Sequence, residues 1–186
     1  MKNYFEEDLK KAREFHGHIC TGIVFGTRIA RLGLNYLGIE DPEENRDFMV
    51  FVEADRCIAD AVAAVTGCSL GRRRLKWLDY GKMAASFVDM NTKQGIRIAT
   101  VAGDQPGDDI DPVAFWSGIP DGELFRIEPI TVDLAPYDLP GRPLRRAVCS
   151  RCGEAVMDNR DLQVDGETLC KACAGGAYYH RESGHE

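Results

Sequence analysis

The chain has 186 residues, of which 44% are hydrophobic and 28% are charged, as is ordinary for a globular protein. This length accommodates one sizeable core and a small second module, but not two full enzyme domains. The formal net charge of −7 argues against non-specific binding to nucleic acid or to an anionic membrane surface.

No apolar run approaches the roughly 20 residues of a membrane-spanning helix. The first residues also lack the apolar segment of a signal peptide. We therefore expect a cytoplasmic protein, in which the seven cysteines are candidate metal ligands rather than disulfide partners.

Helices and one strand are predicted first along the chain. Apolar residues at helical spacing predict an amphipathic helix over residues 5–15 and a more apolar helix over 19–37, which closes at Gly38. The continuous apolar run 48–52 predicts a buried strand. The run 58–65 is rich in Ala and Val, and it predicts a buried helix.

Strands dominate the next part of the sequence. Residues 83–88 and 96–101 flank a turn-like segment and predict a hairpin. Residues 124–132 predict a further strand, which Pro129 would place at a sheet edge or at a bulge. The fold class is therefore α+β, with N-terminal helices packed on a mixed or antiparallel sheet.

A change in composition divides the chain near residue 140. The Pro and Gly residues of 135–143 predict a linker. We expect an α+β metal-binding domain over residues 1–140 and a small zinc-ribbon module over 141–186.

Four cysteines of the second module form two Cys-x2-Cys pairs separated by 17 residues, which is the spacing of a four-thiolate zinc site. Gly153 follows the first pair and permits the left-handed turn that such a knuckle needs. A closed four-sulfur site predicts structural zinc, with two redox-active pairs as the alternative. The ligands would be Cys149, Cys152, Cys170 and Cys173.

A second candidate site lies at the junction of the first two predicted helices, where His16, His18 and Cys20 fall within five residues. His16 and Cys20 would share a face if the helix continued through the junction. A break at Gly17 would instead let His16 and His18 point the same way. The alternative to a metal site is a capping histidine and a packing cysteine.

Cys57 is the predicted partner of these residues. It opens a predicted helix beside Arg56, so the helix dipole and the guanidinium should favour its thiolate. Asp60 lies on the same helix face as a ligand or as a residue that orients one. The alternative is that Cys57 is a small buried apolar residue.

Residues 66–82 mix glycines with basic side chains and predict an anion site that includes Arg72 and Lys82. They do not form a phosphate-binding loop motif, because no Lys-Ser or Lys-Thr follows the glycines. A solvated basic loop is the alternative.

These segments together resemble the FmdE family, which takes its name from formylmethanofuran dehydrogenase. The matching sequence motifs are Phe15-His16-Gly17-His18-x-Cys20-x-Gly22, Cys57-x-x-Asp60-Ala61, Thr66-Gly67-Cys68-x-x-Gly71 and Asp79-x-Gly81-Lys82-x-Ala84.

The resemblance implies an α+β core that forms a homodimer, a metal-bearing cleft and, in some members, a C-terminal zinc ribbon. It implies that His16, His18, Cys20 and Cys57 surround the cleft. Dehydrogenase chemistry would need a molybdenum or tungsten pterin and iron–sulfur clusters. Because no cysteine set for such clusters exists outside the zinc pairs, we do not expect that activity from this chain alone.

The first hypothesis is therefore a metal-dependent enzyme or a binder of a small anionic molecule. The metal is zinc, nickel or iron, and the candidate catalytic residues are Cys57, His18 and Asp60. Asp79 is an alternative base. The second hypothesis is a non-catalytic regulatory or accessory module, whose zinc ribbon contacts a protein or nucleic-acid partner.

Overall fold

The computed structural model describes residues 4–101 and 110–180. Over these residues the chain divides into two units, with the boundary between Leu134 and Ala135. The first unit has helices and a mixed sheet, which confirms the predicted α+β class. Within the described ranges, no helix combines the length and the apolar character that crossing a membrane requires.

The first unit begins with helices α1 (Phe5–His16) and α2 (Thr21–Tyr36), and α3 (Cys57–Thr66) follows the first strand. The helix break predicted at Gly17 is present, because Gly17 ends α1 in the left-handed conformation with φ of 96°. Cys20 is extended and directly precedes α2.

The sheet of the first unit has five strands in the order β2–β1–β3–β4–β5. They are β1 (Phe48–Val52), β2 (Leu75–Trp77), β3 (Ala84–Asp89), β4 (Gln94–Thr100) and β5 (Phe125–Thr131). Strands β1 and β2 are parallel and flank α3 in the chain, whereas the other neighbours are antiparallel. The predicted β3–β4 hairpin is present, and β5, which contains Pro129, lies at the sheet edge as predicted. The sequence did not predict β2.

Glycines allow α2 to lie close to its neighbours in the core. A Cβ added to Gly26 would lie 2.6 Å from the Cβ of Ala61 in α3. A Cβ added to Gly33 would lie 2.2 Å from the ring of Phe87 in β3. These contacts fix α2 beside α3, and they belong to an apolar core that includes Ile23, Ile29, Val50, Ile58 and Phe87.

Two short helices, α4 (Pro112–Ser117) and α5 (Asp121–Leu124), are attached to α2 through Arg28. Arg28 Nη1 donates a 2.6 Å hydrogen bond to the carbonyl of Trp116, and its guanidinium also pairs with Asp121. The Trp116 ring packs edge-on against Phe25, with centroids 4.7 Å apart. This segment therefore completes the core over the N-terminal half of α2.

The second unit is small and consists of a 3₁₀ turn, two hairpins and a short helix. They are Pro136–Asp138, β6 (Arg146–Val148) with β7 (Ala155–Met157), β8 (Leu162–Val164) with β9 (Glu167–Leu169), and α6 (Lys171–Gly175).

Candidate metal centres

Three helix ends bring candidate ligands together in the first unit. His16 is the last residue of α1, Cys20 directly precedes α2, and Cys57 begins α3. A ring nitrogen of His16 and the two Sγ atoms lie within 4.8 Å of one another. Bonds of about 2.0–2.3 Å to one tetrahedral zinc ion would place such atoms roughly 3.3–3.8 Å apart. Small side-chain adjustments therefore suffice for one ion to contact all three residues.

His16 is oriented by Asp60. The distance between His16 Nδ1 and Asp60 Oδ2 is 2.7 Å, and because a carboxylate accepts, Nδ1 carries the proton. In the neutral ring the other nitrogen, Nε2, is then an acceptor; it is buried and has no hydrogen-bond partner among the described residues. A carboxylate that fixes the tautomer and leaves Nε2 free is the arrangement of metal-binding histidines.

Gly22 lets the two cysteine side chains approach α2. A Cβ at this position would lie 2.9 Å from Cys57 Cβ, 3.6 Å from Cys57 Sγ and 3.7 Å from Cys20 Sγ. No role for Gly22 was predicted from the sequence. The available signal was a glycine in the first turn of a helix, where it is less favourable than alanine.

The Cys57 thiol differs from the sequence-based expectation. Burial raises its pKa above the usual value, and its hydrogen bond with the Cys20 thiol raises it further. The prediction of a favoured thiolate considered the helix dipole and Arg56, whereas burial and the neighbouring thiol are the larger effects. A cation bound at this position would favour the thiolate form of Cys57 over the protonated thiol, because a positive charge stabilises thiolates.

The remaining predicted site residues lie outside this three-residue group. His18 is exposed, and its ring centroid is 4.5 Å from that of His16. Arg72 and Lys82 are exposed on the segments that flank β2. Asp79 is also exposed and lies on the same segment as Lys82.

Arg74, in the same basic stretch, is structural. It is buried, donates hydrogen bonds to the carbonyls of Asn45 and Gly67, and lies 5.1 Å from the Phe48 ring centroid. The predicted anion site therefore does not include this arginine.

In the second unit, the ligand atoms of the four predicted cysteines lie within 4.8 Å of one another. Cys152 Sγ and Cys170 Sγ are 3.9 Å apart, close to the roughly 3.8 Å expected for two thiolates on a tetrahedral zinc ion. Gly153 adopts φ of 74°, which is the predicted left-handed turn. The Cys173 amide N–H donates to Cys170 Sγ at 3.3 Å, as in a zinc knuckle.

Two thiols of this unit have pKa values on opposite sides of the ordinary cysteine value. Hydrogen bonding, first from the backbone N–H of Cys152, lowers the pKa of Cys149 to about 6. The hydrogen bond with Cys170, followed by burial, raises the pKa of Cys173 to about 12. Protons are therefore retained in the metal-free cluster, and zinc must displace them.

Comparison with known proteins identifies the family of the first unit and supports zinc binding by the second. Residues 15–113, more than half of the chain, match the family described as "FmdE, Molybdenum formylmethanofuran dehydrogenase operon". The chain belongs to the FmdE family. Residues 142–179 match the prokaryotic dksA/traR C4-type zinc finger, which together with the four-cysteine cluster supports zinc binding. The predicted family and its C-terminal zinc module are thereby confirmed.

Two individual proteins resemble this FmdE-family chain. A "Probable S-adenosyl-L-methionine-binding protein" of Archaeoglobus fulgidus is 30% identical over 208 aligned positions, which cover 91% of the chain and 53% of that protein. The chain thus spans about half the length of this curated relative. A tungsten formylmethanofuran dehydrogenase FmdE-like protein of Syntrophus aciditrophicus has the same fold, with a TM-score of 0.59, 24% identity and 95% coverage of each chain.

Proposed function

We propose that the first unit binds a divalent metal ion through His16 Nε2, Cys20 Sγ and Cys57 Sγ. The observation that carries this proposal is the His16 ring, whose Nδ1 is held by Asp60 while Nε2 is buried without a partner among the described residues. A buried acceptor left unpaired costs roughly 1–3 kcal/mol, and a metal ion removes that cost. The zinc of the second unit is structural, because four thiolates close its coordination shell.

Three protein ligands leave a coordination position for water or for a small anionic ligand, so the first site is suited to binding or transforming such a molecule. Zinc, nickel and iron all accept imidazole and thiolate ligands, and any of them would supply Lewis-acid chemistry there. Asp60 holds His16 in place. His18 is exposed beside His16 and is the candidate for accepting or donating a proton at the rim of the site.

The ligand of this site is proposed to be anionic because Lys82 is an exposed cation shortly after β2, at the end of the sheet where α3 begins, whereas Arg72 precedes β2. S-adenosyl-L-methionine belongs among the compounds to be tested, since the Archaeoglobus relative is described as a probable binder of it. Only about half of that relative aligns with this chain, so S-adenosyl-L-methionine is not the ligand proposed here.

A second candidate function uses the zinc module as a contact surface for a protein partner. In the β6–β7 hairpin, Val148 and Met157 are exposed on the same face, where the register pairs them with Ala155 and Arg146. Exposed apolar side chains on one face of a hairpin favour protein contact. Val148→Ser together with Met157→Ser would then abolish partner binding while both metal sites stay filled.

Cobalt substitution tests the first site directly. Thiolate ligands give bound Co²⁺ an intense charge-transfer band, and two sites should give two spectral components. The variants Cys20→Ser and Cys57→Ser should remove the component of the first unit, whereas Cys68→Ser should retain it, because Cys68 lies outside the ligand group. The proposal fails if the first two variants retain the complete cobalt spectrum.

A further inference from the structure

Two aromatic side chains close to the end of β2 are exposed. The exposed fractions are 48% for Trp77 and 60% for Tyr80, whereas the other tryptophan, Trp116, is 5% exposed. Single exposed apolar residues are common, whereas these two large rings are exposed within four positions of the chain. Such rings are the side chains on which planar ligands stack.

The strand register places Trp77 at the same end of the sheet as the start of α3. Trp77 is paired with Val52, the last residue of β1, in the parallel β1–β2 ladder. Val52 belongs to the core beneath the helices, so Trp77 lies on the helix-covered face of the sheet. Because α3 starts a few residues after β1 ends, Cys57 lies at this end of the sheet. Ligands of sheets with such crossovers bind beyond the carboxyl ends of the strands.

The segment from Leu78 to Lys82 is attached to the end of β1 by main-chain hydrogen bonds. The Leu78 N–H donates to the Val52 carbonyl at 2.9 Å, and the Lys82 N–H donates to the Glu53 carbonyl at 3.0 Å. Lys82 Nζ lies 5.8 Å from the Tyr80 ring centroid, and both residues are exposed. A cation and an aromatic ring are therefore held together beside the connection that leads to Cys57.

The chemistry and size of this surface favour a small anion over a protein. Two aromatic side chains cover at most about 250 Å² each, well below the roughly 800 Å² per partner of a stable protein interface. Lys82 is an exposed positive charge on a chain with a formal net charge of −7, so it selects a negatively charged ligand locally.

We propose that Trp77, Tyr80 and Lys82 bind a planar heteroaromatic group that carries an anionic substituent, as a nucleoside monophosphate does. The ring stacks on the aromatic side chains, and the anion pairs with Lys82. This inference rests on the proposed function, because it assigns these residues to recognition of the ligand of the His16, Cys20 and Cys57 site.

Tryptophan fluorescence of the metal-loaded protein tests the proposal. The chain has two tryptophans, so Trp116→Phe leaves Trp77 as the only reporter. Adenosine 5′-monophosphate should quench its emission in a saturable manner. Adenosine lacks the anion and ribose 5-phosphate lacks the ring, so each should bind at least about tenfold more weakly. The absence of saturable quenching by the monophosphate would overturn the proposal.

Charge variants of the same segment separate recognition from folding. Lys82→Met should weaken binding of the monophosphate about tenfold and leave adenosine unaffected, since only the monophosphate presents an anion. Asp79→Asn removes a neighbouring negative charge and should strengthen monophosphate binding. Lys10→Met, which changes an exposed lysine of α1, should leave both affinities unchanged. Equal affinities in the Lys82 variant and the parent protein contradict the proposal.

The cobalt spectrum distinguishes this inference from the proposed function. Trp77→Leu lacks the fluorescent reporter, so its binding is measured by equilibrium dialysis. It should lose monophosphate binding and keep the cobalt component of the first unit, because Trp77 is not a metal ligand. Sedimentation of the same variant tests the competing occupant. If Trp77→Leu shifts the protein from dimer to monomer, the surface contacts a second copy of the chain and the proposal is wrong. If the unmodified protein shows no cobalt component from the first unit, the proposed metal site is wrong, whereas the monophosphate titration still tests the ligand site.

Discussion

At the scale of single residues, the first site depends on a histidine whose two ring nitrogens have different surroundings. Asp60 holds Nδ1 at 2.7 Å, while Nε2 is buried without a partner among the residues described. The tautomer and the ring orientation are therefore fixed before a ligand arrives. A preorganised ligand loses less conformational entropy on binding than a freely rotating one.

Asp60→Asn should weaken metal binding at the first site about 10–100-fold, because an amide fixes the His16 tautomer less well than a carboxylate. Competition of Co²⁺-loaded protein with a chelator of known affinity measures this effect. The zinc module provides the internal control, since its four cysteines lie in the other unit and should retain their metal. An unchanged affinity at the first site would show that Asp60 does not orient a ligand.

The raised pKa of Cys57 gives metal binding at the first site a pH dependence. A thiol with a raised pKa stays protonated at neutral pH, and the metal must displace that proton. Affinity should therefore rise with pH, by about tenfold per pH unit for each thiol proton released. Metal titrations between about pH 6 and pH 8 measure the slope of the logarithm of affinity against pH. Cys57→Ser should reduce this slope by about one, because one proton fewer is released. A pH-independent affinity would exclude thiolate ligation.

At the scale of secondary-structure elements, close packing of α2 on α3 brings Cys20 and Cys57 together. Gly26 is the closest contact, since a Cβ there would lie 2.6 Å from Ala61 Cβ and 3.0 Å from Ile58 Cα. Neither atom is the mobile end of a long side chain. The helices must therefore move apart if Gly26 carries a side chain.

Gly26→Ala should destabilise the first unit by about 1–3 kcal/mol, the usual cost of overpacking, which exceeds the gain of up to about 1 kcal/mol from better helix propensity. Urea unfolding monitored by circular dichroism measures the change in the free energy of unfolding. Gly122→Ala is the matched control, because no atom lies within 4 Å of its added Cβ. Equal unfolding midpoints for the two variants would contradict the packing argument.

Much of this architecture could be predicted from local sequence patterns. The apolar run 48–52 matches β1 residue for residue, and Gly17 ends α1 as its flexibility predicts. The strand β2 was missed because its three residues lie in a stretch dominated by charge. The short helix α4 was missed because it has only six residues, too few to show helical periodicity.

The two candidate sites differ in how far the sequence determined them. The four-cysteine site follows from two pairs at characteristic spacing, and the structure brings all four together. The first site joins His16 to Cys57 across three elements, and no local pattern specifies that approach. His16, Cys20 and Cys57 were predicted as ligands from composition and from the resemblance to the FmdE family. The unpaired Nε2 and the close approach of both cysteines to Gly22 depend on the packing of three helices, which no local sequence pattern encodes.

At the scale of the whole molecule, the two units obtain their stability from different sources. The first unit has an apolar core of helices and sheet, whereas the second contributes few buried apolar residues, among them Leu169. We therefore expect bound zinc to supply much of the folding free energy of the second unit.

Removal of all metal by a strong chelator should unfold the second unit and leave the first unit folded. Hydrogen exchange measured by mass spectrometry should show loss of protection over residues 146–175, with protection of α2 and β3 retained. Re-addition of Zn²⁺ should restore the protection of the second unit. Simultaneous loss of protection in both units would show that the first unit also needs metal to fold.

The metal content per chain tests the central claim most directly. Elemental analysis combined with native mass spectrometry should find two metal ions in the unmodified protein, one held at the first site and one by the four cysteines of the second unit. The double variant His16→Ala with Cys57→Ser should retain only the second of these ions. One ion in both proteins would confine the metal to the zinc module and contradict the proposed site.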